Sequence, residues 1–162
     1  MYFCAILARF LKKKRHSMDS VIVDLDGTLA DCNHRLHFIE QPKKDWQSFF
    51  DNCDKDSVVE PVRELINMLK EKYMIIILTA RPDSNREHTT KWLEDNNIDY
   101  DGLFMRNKND YRKSPIVKKD LIEEMKCHDF IPVYAIEDRD DCIDMFNNLG
   151  IFTLKVYNSV PA

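Results

Sequence analysis

The chain has 162 residues, 44% of them hydrophobic, which suits a single domain with a buried core. Its 28 acidic and 24 basic residues leave a formal charge of -4, so a nucleic-acid partner would need a local basic patch. The five cysteines include no CxxC pair and no zinc-ligand spacing. This pattern excludes a disulfide framework and a structural zinc site, and it predicts a reduced, cytoplasmic protein.

Residues 1–18 are predicted to form a leader that is peripheral to the fold. The apolar run at 3–11 is interrupted by Arg9 and followed by a basic run at 12–15. A secretory signal carries its charge before the apolar run, and a membrane span needs about 20 apolar residues, so neither fits. An upstream leader or an interfacial basic helix is the alternative for this stretch. Residues 19–162 are predicted to form one domain without membrane contact.

The stretch from Val21 to Thr28 is the first that carries chemistry. A short apolar run ends in Asp24 and Asp26, and Gly27 follows. We interpret it as a buried strand with two carboxylates at its carboxyl-terminal tip, where the alternation of side chains would point both to one face. Aspartate and glycine also cluster at ordinary strand ends, so the interpretation depends on what the rest of the chain supplies.

The remainder of the chain alternates between helix and strand patterns. Residues 29–60 have no clean hydrophobic period and are predicted to form a small, partly helical cap beside the first strand. We then predict helices near 61–69, 84–96, 115–126 and 140–148, and strands near 74–78, 103–105, 133–136 and 151–156. The alternation indicates an α/β protein with a three-layer, Rossmann-like architecture, in which helices cover both faces of a central parallel sheet.

Polar residues follow the ends of three predicted strands. Because the carboxyl ends of parallel strands share one edge of the sheet, these residues are expected to converge. They are Asp24, Asp26, Thr79, Arg81, Glu137 and Asp138. Lys118, in the first turn of the helix that begins at Pro115, approaches the same edge. Lys119 is its rival, and Asp141 is an alternative acid in the last group.

This set suits hydrolysis of a phosphate monoester. Asp24 can attack phosphorus to form an aspartyl-phosphate, and Asp26 can protonate the leaving alcohol and then activate water. Mg²⁺ is expected among the acids, held by Asp24, Asp138 and the backbone carbonyl of Asp26. Thr79 and Lys118 would bind the non-bridging phosphate oxygens, and Lys118 would keep Asp24 ionised.

Together these segments resemble the four motifs of the haloacid dehalogenase (HAD) superfamily of phosphatases. They are Asp24-Leu25-Asp26-Gly27-Thr28, Leu78-Thr79, Lys118 and Glu137-Asp138. The second acid, Asp26, is typical of the phosphatase branch and not of the dehalogenases. The resemblance implies a HAD-like fold and a magnesium site at Asp24, Asp26, Glu137 and Asp138.

A narrower resemblance is to the 3'-phosphatase domain of bacteriophage polynucleotide kinase/phosphatase. It rests on the spacing from Asp24 to Arg35 and on the segments Thr79-Ala80-Arg81, Thr90-Lys91-Trp92-Leu93, Met105-Arg106, Asp110-Tyr111-Arg112-Lys113, Ile116-Val117-Lys118 and Ala135-Ile136-Glu137-Asp138-Arg139. This resemblance implies a substrate-binding set of Arg35, Arg81, Arg112 and Arg139. Glu137 departs from that family, which usually has a second aspartate there, so Asp138 is the safer metal ligand.

The leading hypothesis is a Mg²⁺-dependent polynucleotide 3'-phosphatase. A small cap would admit a polymer end, and basic residues on nearby loops would attract its phosphates. The alternatives are a phosphatase of free nucleotides or other small phosphate esters, with a pocket walled by Trp46, Phe49 and Phe50, and a non-catalytic phosphate-binding scaffold. The 162 residues contain no GxxxxGK[ST] loop, so a kinase or ligase partner is expected to be a separate chain.

Overall fold

The computed structural model describes residues 18–157, and a parallel sheet forms their centre. The strands are β1 (Asp19–Val23), β2 (Ala30–Asp31), β3 (Ser57–Val58), β4 (Met74–Pro82), β5 (Gly102–Arg106), β6 (Ile131–Glu137) and β7 (Phe152–Lys155). Five of them form the parallel sheet in the order β5-β4-β1-β6-β7, and β2 pairs with β3 antiparallel. The strand order reverses beside β1, which is where open α/β sheets bind their ligands.

Helices cover both faces of the sheet, as the sequence predicts. The helices of the described residues are α1 (His37–Glu40), α2 (Trp46–Asp51), α3 (Glu60–Leu69), α4 (Arg86–Asp95), α5 (Ser114–Cys127) and α6 (Asp140–Asn148). The last four cover the sheet, and α1 and α2 belong to the cap. Successive residues of β1 show the division: Val21 and Val23 pack with α3 and α4, whereas Ile22 packs with α5 and α6. Side chains of a strand alternate between faces, so an uninterrupted apolar run is what a strand covered on both sides requires. The three-layer α/β prediction is confirmed.

The main difference from the predicted boundaries is the length of β4. The apolar run stops at Leu78, but the extended backbone continues to Pro82, which pairs with Arg106 after a register shift that begins at Thr79. Residues 79–82 do not continue the apolar run, so hydrophobicity alone does not predict that they belong to the strand. A bulge re-aims side chains next to a site, and here it lies at Thr79 and Arg81.

The predicted cap, residues 29–60, contains short elements and no long helix. It holds β2, β3, α1 and α2, with 3-10 turns at Asn33–Arg35 and Cys53–Lys55, so its partly helical character is confirmed. The ring of Phe49 is buried against the guanidinium carbon of Arg35, 4.1 Å from its centroid. This contact lies within the cap, whereas Leu29 and Ala30 of the cap join the core that α3 and α4 form with the sheet.

The leader predicted at 1–18 lies outside the described residues apart from Met18, whose backbone carbonyl accepts a hydrogen bond from Ile131. Within 18–157, no helix has the length and apolar character needed to cross a membrane. The cysteines of this part of the chain, at 32, 53, 127 and 142, are all free thiols.

Candidate active site

The predicted site residues meet at the carboxyl-terminal edge of β1, β4 and β6. Asp24 follows the last residue of β1, and its backbone amide donates to the carbonyl of Ile136, 3.1 Å away in β6. The side chains of Asp24, Thr79, Lys118 and Glu137 are almost fully buried there. The convergence expected from a parallel sheet is therefore present.

Lys118 is the centre of the first cluster. Its ammonium donates to Asp24 Oδ1 and to Glu137 Oε2, each at 2.6 Å. The residue is 1% exposed, whereas Lys119 next to it is exposed to solvent. Because a helix turns by 100° per residue, only one of two adjacent lysines can reach the site, and it is Lys118.

A group of three acids surrounds this lysine. Asp24, Glu137 and Asp138 each offer a carboxylate oxygen, and these oxygens lie within 4.8 Å of one another. Asp138 accepts from the hydroxyl of Thr28 at 3.2 Å. Asp141 is not in the group, because it is paired with Arg139 at 2.8 Å on the surface.

The charges of the first cluster do not balance, since one ammonium faces three carboxyl groups. Burial, followed by the neighbouring Glu137, raises the pKa of Asp24 to about 7. Burial also raises the pKa of Glu137 and of Asp138. Burial would lower the pKa of Lys118, but Asp24 and Glu137 outweigh it and raise that pKa, so the lysine stays charged. Hard oxygen ligands with surplus negative charge fit Mg²⁺.

Asp26 belongs to a second cluster. Arg81 donates to its Oδ1 from Nη2 at 2.6 Å, and Arg35 also donates to Oδ1. Both guanidiniums are fully buried. Burial would raise the pKa of Asp26, but Arg81 and then Arg35 outweigh it and hold the pKa below its usual range. The strand ends at Val23, so the two acids of the motif turn to different partners instead of sharing one face.

Asp56 completes the second cluster, and the sequence analysis did not identify it. Its Oδ2 accepts from Arg35 at 2.6 Å and from Arg81 at 2.9 Å, and its own side chain has no exposed surface. The indole of Trp92 donates to its backbone carbonyl at 2.7 Å. The sequence offered only an indirect signal for Asp56. Two arginines predicted at one buried site would need a second carboxylate besides Asp26.

The remaining predicted residues lie in different surroundings. Thr79 is buried, and its hydroxyl accepts from the backbone amide of Arg81 at 3.1 Å. Arg112 and Arg139 are half exposed and paired with surface acids, Arg112 with Asp110 and Asp120 and Arg139 with Asp141. Neither guanidinium hydrogen bonds to the buried clusters among the described residues, although the backbone amide of Arg139 donates to Glu137 Oε1 at 3.2 Å. Contact of the two arginines with substrate stays a prediction.

A doubly wound parallel sheet with this ordered set of acids, threonine and lysine at its switch point defines a phosphatase of the HAD superfamily. Residues 18–159 match the family described as the polynucleotide kinase PNKP phosphatase domain, and the chain belongs to that family.

Solved structures show the same relationship. The chain is similar to a protein in the structure of the Pnkp1/Rnl/Hen1 complex, with 32% identity over 86% of this chain and a TM-score of 0.74. A second structure, of the Pnkp1/Rnl/Hen1 RNA repair complex, matches at 33% identity over 88% of this chain, also with a TM-score of 0.74. This chain covers only 45% and 43% of those two proteins. The class C acid phosphatase from Bacillus anthracis shares the fold at 13% identity, over 95% of this chain and 72% of that one, with a TM-score of 0.63.

Asp56→Asn is expected to destabilise the protein by about 3–5 kcal/mol, because it leaves two buried guanidiniums short of an anion. The exposed neighbour provides the control: Asp54→Asn should change the unfolding free energy by less than about 0.5 kcal/mol. Urea unfolding of the two variants measures the difference. Equal stabilities would show that Asp26 alone balances both arginines.

Gly27→Ala is expected to displace Asp138. Gly27 has a φ of +89°, and a Cβ there would lie 2.4 Å from Asp138 Oδ2. Displacing this acid should reduce turnover by about 100-fold. Gly150→Ala is the matched control, because its φ of +77° imposes similar backbone strain while its Cβ would meet no atom within 4 Å. Steady-state phosphatase assays and thermal unfolding compare the two variants, and equal activities would contradict the assignment of the loss to Asp138.

Proposed function

We propose that this phosphatase is a Mg²⁺-dependent polynucleotide 3'-phosphatase that works through a phosphorylated Asp24. The observation that carries the chemistry is the buried Asp24 carboxylate, held by the Lys118 ammonium at 2.6 Å beside Glu137 and Asp138. The hydrogen bond orients the carboxylate, and the charged lysine supports its ionised form, which is the attacking species.

The reaction has two balanced halves. Asp24 Oδ attacks phosphorus and the ester bond breaks, with Asp26 giving its proton to the departing oxygen. Water then attacks the acyl phosphate, and Asp26 takes the proton back as inorganic phosphate leaves. Thr79 and Lys118 would neutralise the non-bridging oxygens. Arg35 and Arg81 would hold Asp26 and contact the phosphate group.

Without bound ligands, the pKa values of Asp24 and Asp26 are shifted away from the protonation states that the reaction needs. Asp24 must be ionised to attack, yet its neighbours raise its pKa, and Asp26 must be protonated to act as an acid, yet the arginines lower its pKa. A substrate phosphate that draws Arg81 away from Asp26 would raise the pKa of Asp26. A divalent cation beside Asp24 would lower the pKa of Asp24 in the same way.

Asp24, Asp138 and the backbone carbonyl of Asp26 would hold the magnesium ion, and Glu137 lies close enough to contribute. The side chain of Asp26 is committed to the arginines, which leaves its carbonyl for the metal. The ion would supply positive charge that stabilises the phosphoryl oxygens.

A polynucleotide end is the substrate that the family membership and the small cap favour. The two similar proteins are more than twice as long as their segments that match this chain. Their structures are described as Pnkp1/Rnl/Hen1 complexes, so they assemble with other proteins. We propose a kinase or ligase partner for this chain on that basis. The free thiols of the described residues support a cytoplasmic location.

Asp24→Asn is expected to reduce phosphate release by at least about 10⁴-fold, because an amide does not attack phosphorus. Asp31→Asn, in β2, is the control and should stay near the wild-type rate. Acid-quenching with a ³²P-labelled substrate should label the wild-type protein and not Asp24→Asn. An active Asp24→Asn variant would contradict the covalent mechanism. A wild-type protein without phosphatase activity would favour the phosphate-binding scaffold.

The substrate assignment predicts that a 3'-phosphorylated oligonucleotide has a kcat/KM at least about tenfold above that of a nucleoside 3'-monophosphate or p-nitrophenyl phosphate. Each further phosphate contact adds affinity that increased salt should weaken. DNA and RNA oligonucleotides are compared in parallel, and a 5'-phosphorylated oligonucleotide is the control for end preference. Faster turnover of the mononucleotide would establish the small-ester alternative.

A further inference from the structure

The loop between β5 and α5, residues 107–113, presents an aromatic side chain to solvent. Tyr111 is 89% exposed, the highest value among the exposed large hydrophobic residues of 18–157. Its neighbours Asn109, Asp110 and Arg112 are polar. A single aromatic ring in polar surroundings does not resemble the continuous apolar patch that a protein partner usually covers.

Hydrogen bonds fix the backbone on both sides of this tyrosine. The guanidinium of Arg106 donates to the carbonyls of Asp110 at 2.9 Å and Arg112 at 2.7 Å. At the start of the loop, the backbone amide of Lys108 donates to Asp83 Oδ1 at 3.0 Å. The backbone on both sides of Tyr111 is thus held in place before any ligand arrives, which reduces the entropy lost when the loop binds.

The same guanidinium joins the loop to the candidate active site. Arg106 Nε donates a hydrogen bond of 2.8 Å to the carbonyl of Ala80, the residue between Thr79 and Arg81. Its Nη2 reaches the hydroxyl of Ser114, the first residue of α5, at 3.4 Å. Lys118 follows one turn later on α5. The Arg106 side chain therefore connects the loop that carries Tyr111 to the end of β4 and to the start of α5, two segments that contribute residues to the site.

The charges around Tyr111 favour an anionic polymer. The loop carries Lys108, Arg112 and Lys113 against the single acid Asp110. Within the described part of the chain, Arg112 is paired with acids, whereas Lys108 and Lys113 make no ion pair. Single-stranded nucleic acids are bound by this combination, in which a base stacks on an aromatic ring and ammonium groups follow the backbone phosphates.

We propose that Tyr111 stacks on a base of the substrate strand upstream of its 3'-phosphate, while Lys108 and Lys113 contact the strand's backbone. The inference rests on the proposed polynucleotide substrate and specifies where that polymer leaves the site. It also explains how specificity for a polymer could arise in a protein with a small cap.

The test compares a 3'-phosphorylated hexanucleotide with p-nitrophenyl phosphate. Tyr111→Ala is expected to raise KM for the hexanucleotide about 5- to 20-fold, in the range of one lost base stack, with kcat/KM for the small ester unchanged. Tyr111→Phe should retain wild-type values, because stacking needs the ring and not the hydroxyl. Phe152→Ala is the matched control, an exposed aromatic residue (63%) at the amino-terminal end of β7, on the opposite edge of the sheet.

The outcomes separate this proposal from the proposed function. A wild type that prefers the oligonucleotide, together with a Tyr111→Ala variant of unchanged KM, overturns the stacking proposal alone. Equal losses on both substrates, or a Tyr111→Phe variant as weak as Tyr111→Ala, also overturn it. A wild type that prefers the mononucleotide refutes the proposed function. In that case, fluorescence anisotropy of the labelled hexanucleotide still decides on Tyr111, since unchanged affinity of Tyr111→Ala refutes the contact.

Discussion

Two arginines without solvent contact, Arg35 and Arg81, constrain the centre of this protein. A guanidinium removed from water is strongly unfavourable unless carboxylates surround it. Asp26 comes from the turn after β1 and Asp56 from the end of the cap, so the arginines can be paired only when both segments are in place. The indole of Trp92 donates a hydrogen bond to the backbone carbonyl of Asp56, which also ties α4 to this cluster. The cap is thereby a structural part of the site, although it is too small to fold around a core of its own.

The two acids of the first motif have opposite electrostatic surroundings despite standing two residues apart. Asp24 shares one ammonium with Glu137 and Asp138, whereas Asp26 receives two guanidiniums. The first cluster has surplus negative charge and suits a cation, whereas the second balances two guanidiniums against the carboxylates of Asp26 and Asp56. A metal ion would complete the first cluster, and a substrate phosphate would compete with Asp26 for Arg81 in the second. The same division shifts the pKa values of two chemically identical side chains in opposite directions, and a bound metal ion and phosphate group would reverse both shifts.

Much of this arrangement could be predicted because it depends on local patterns. The apolar runs of β1 and β4, the prolines that open α3 and α5 and the alternation of elements led to the three-layer fold. The parallel sheet then placed Asp24, Thr79 and Glu137 on one edge. The end of β4 could not be predicted, because its last four residues pair through a bulge that leaves no hydrophobic signature. Which of the adjacent lysines, Lys118 or Lys119, reaches the site depends on how α5 is oriented about its axis, and the sequence does not give that orientation.

The sequence by itself determined the order of the motifs, the fold class and the type of chemistry, because these follow from residue type, spacing and the shared edge of parallel strands. Only the tertiary structure decided which charges meet. Asp56 is one of several acids in the cap until Arg35 and Arg81 are buried against it. The pairing of Arg112 and Arg139 with surface acids likewise becomes visible only in the folded chain. Pairing depends on distances between side chains that lie far apart in the chain, and an unpaired charge is prohibitive only after burial is known.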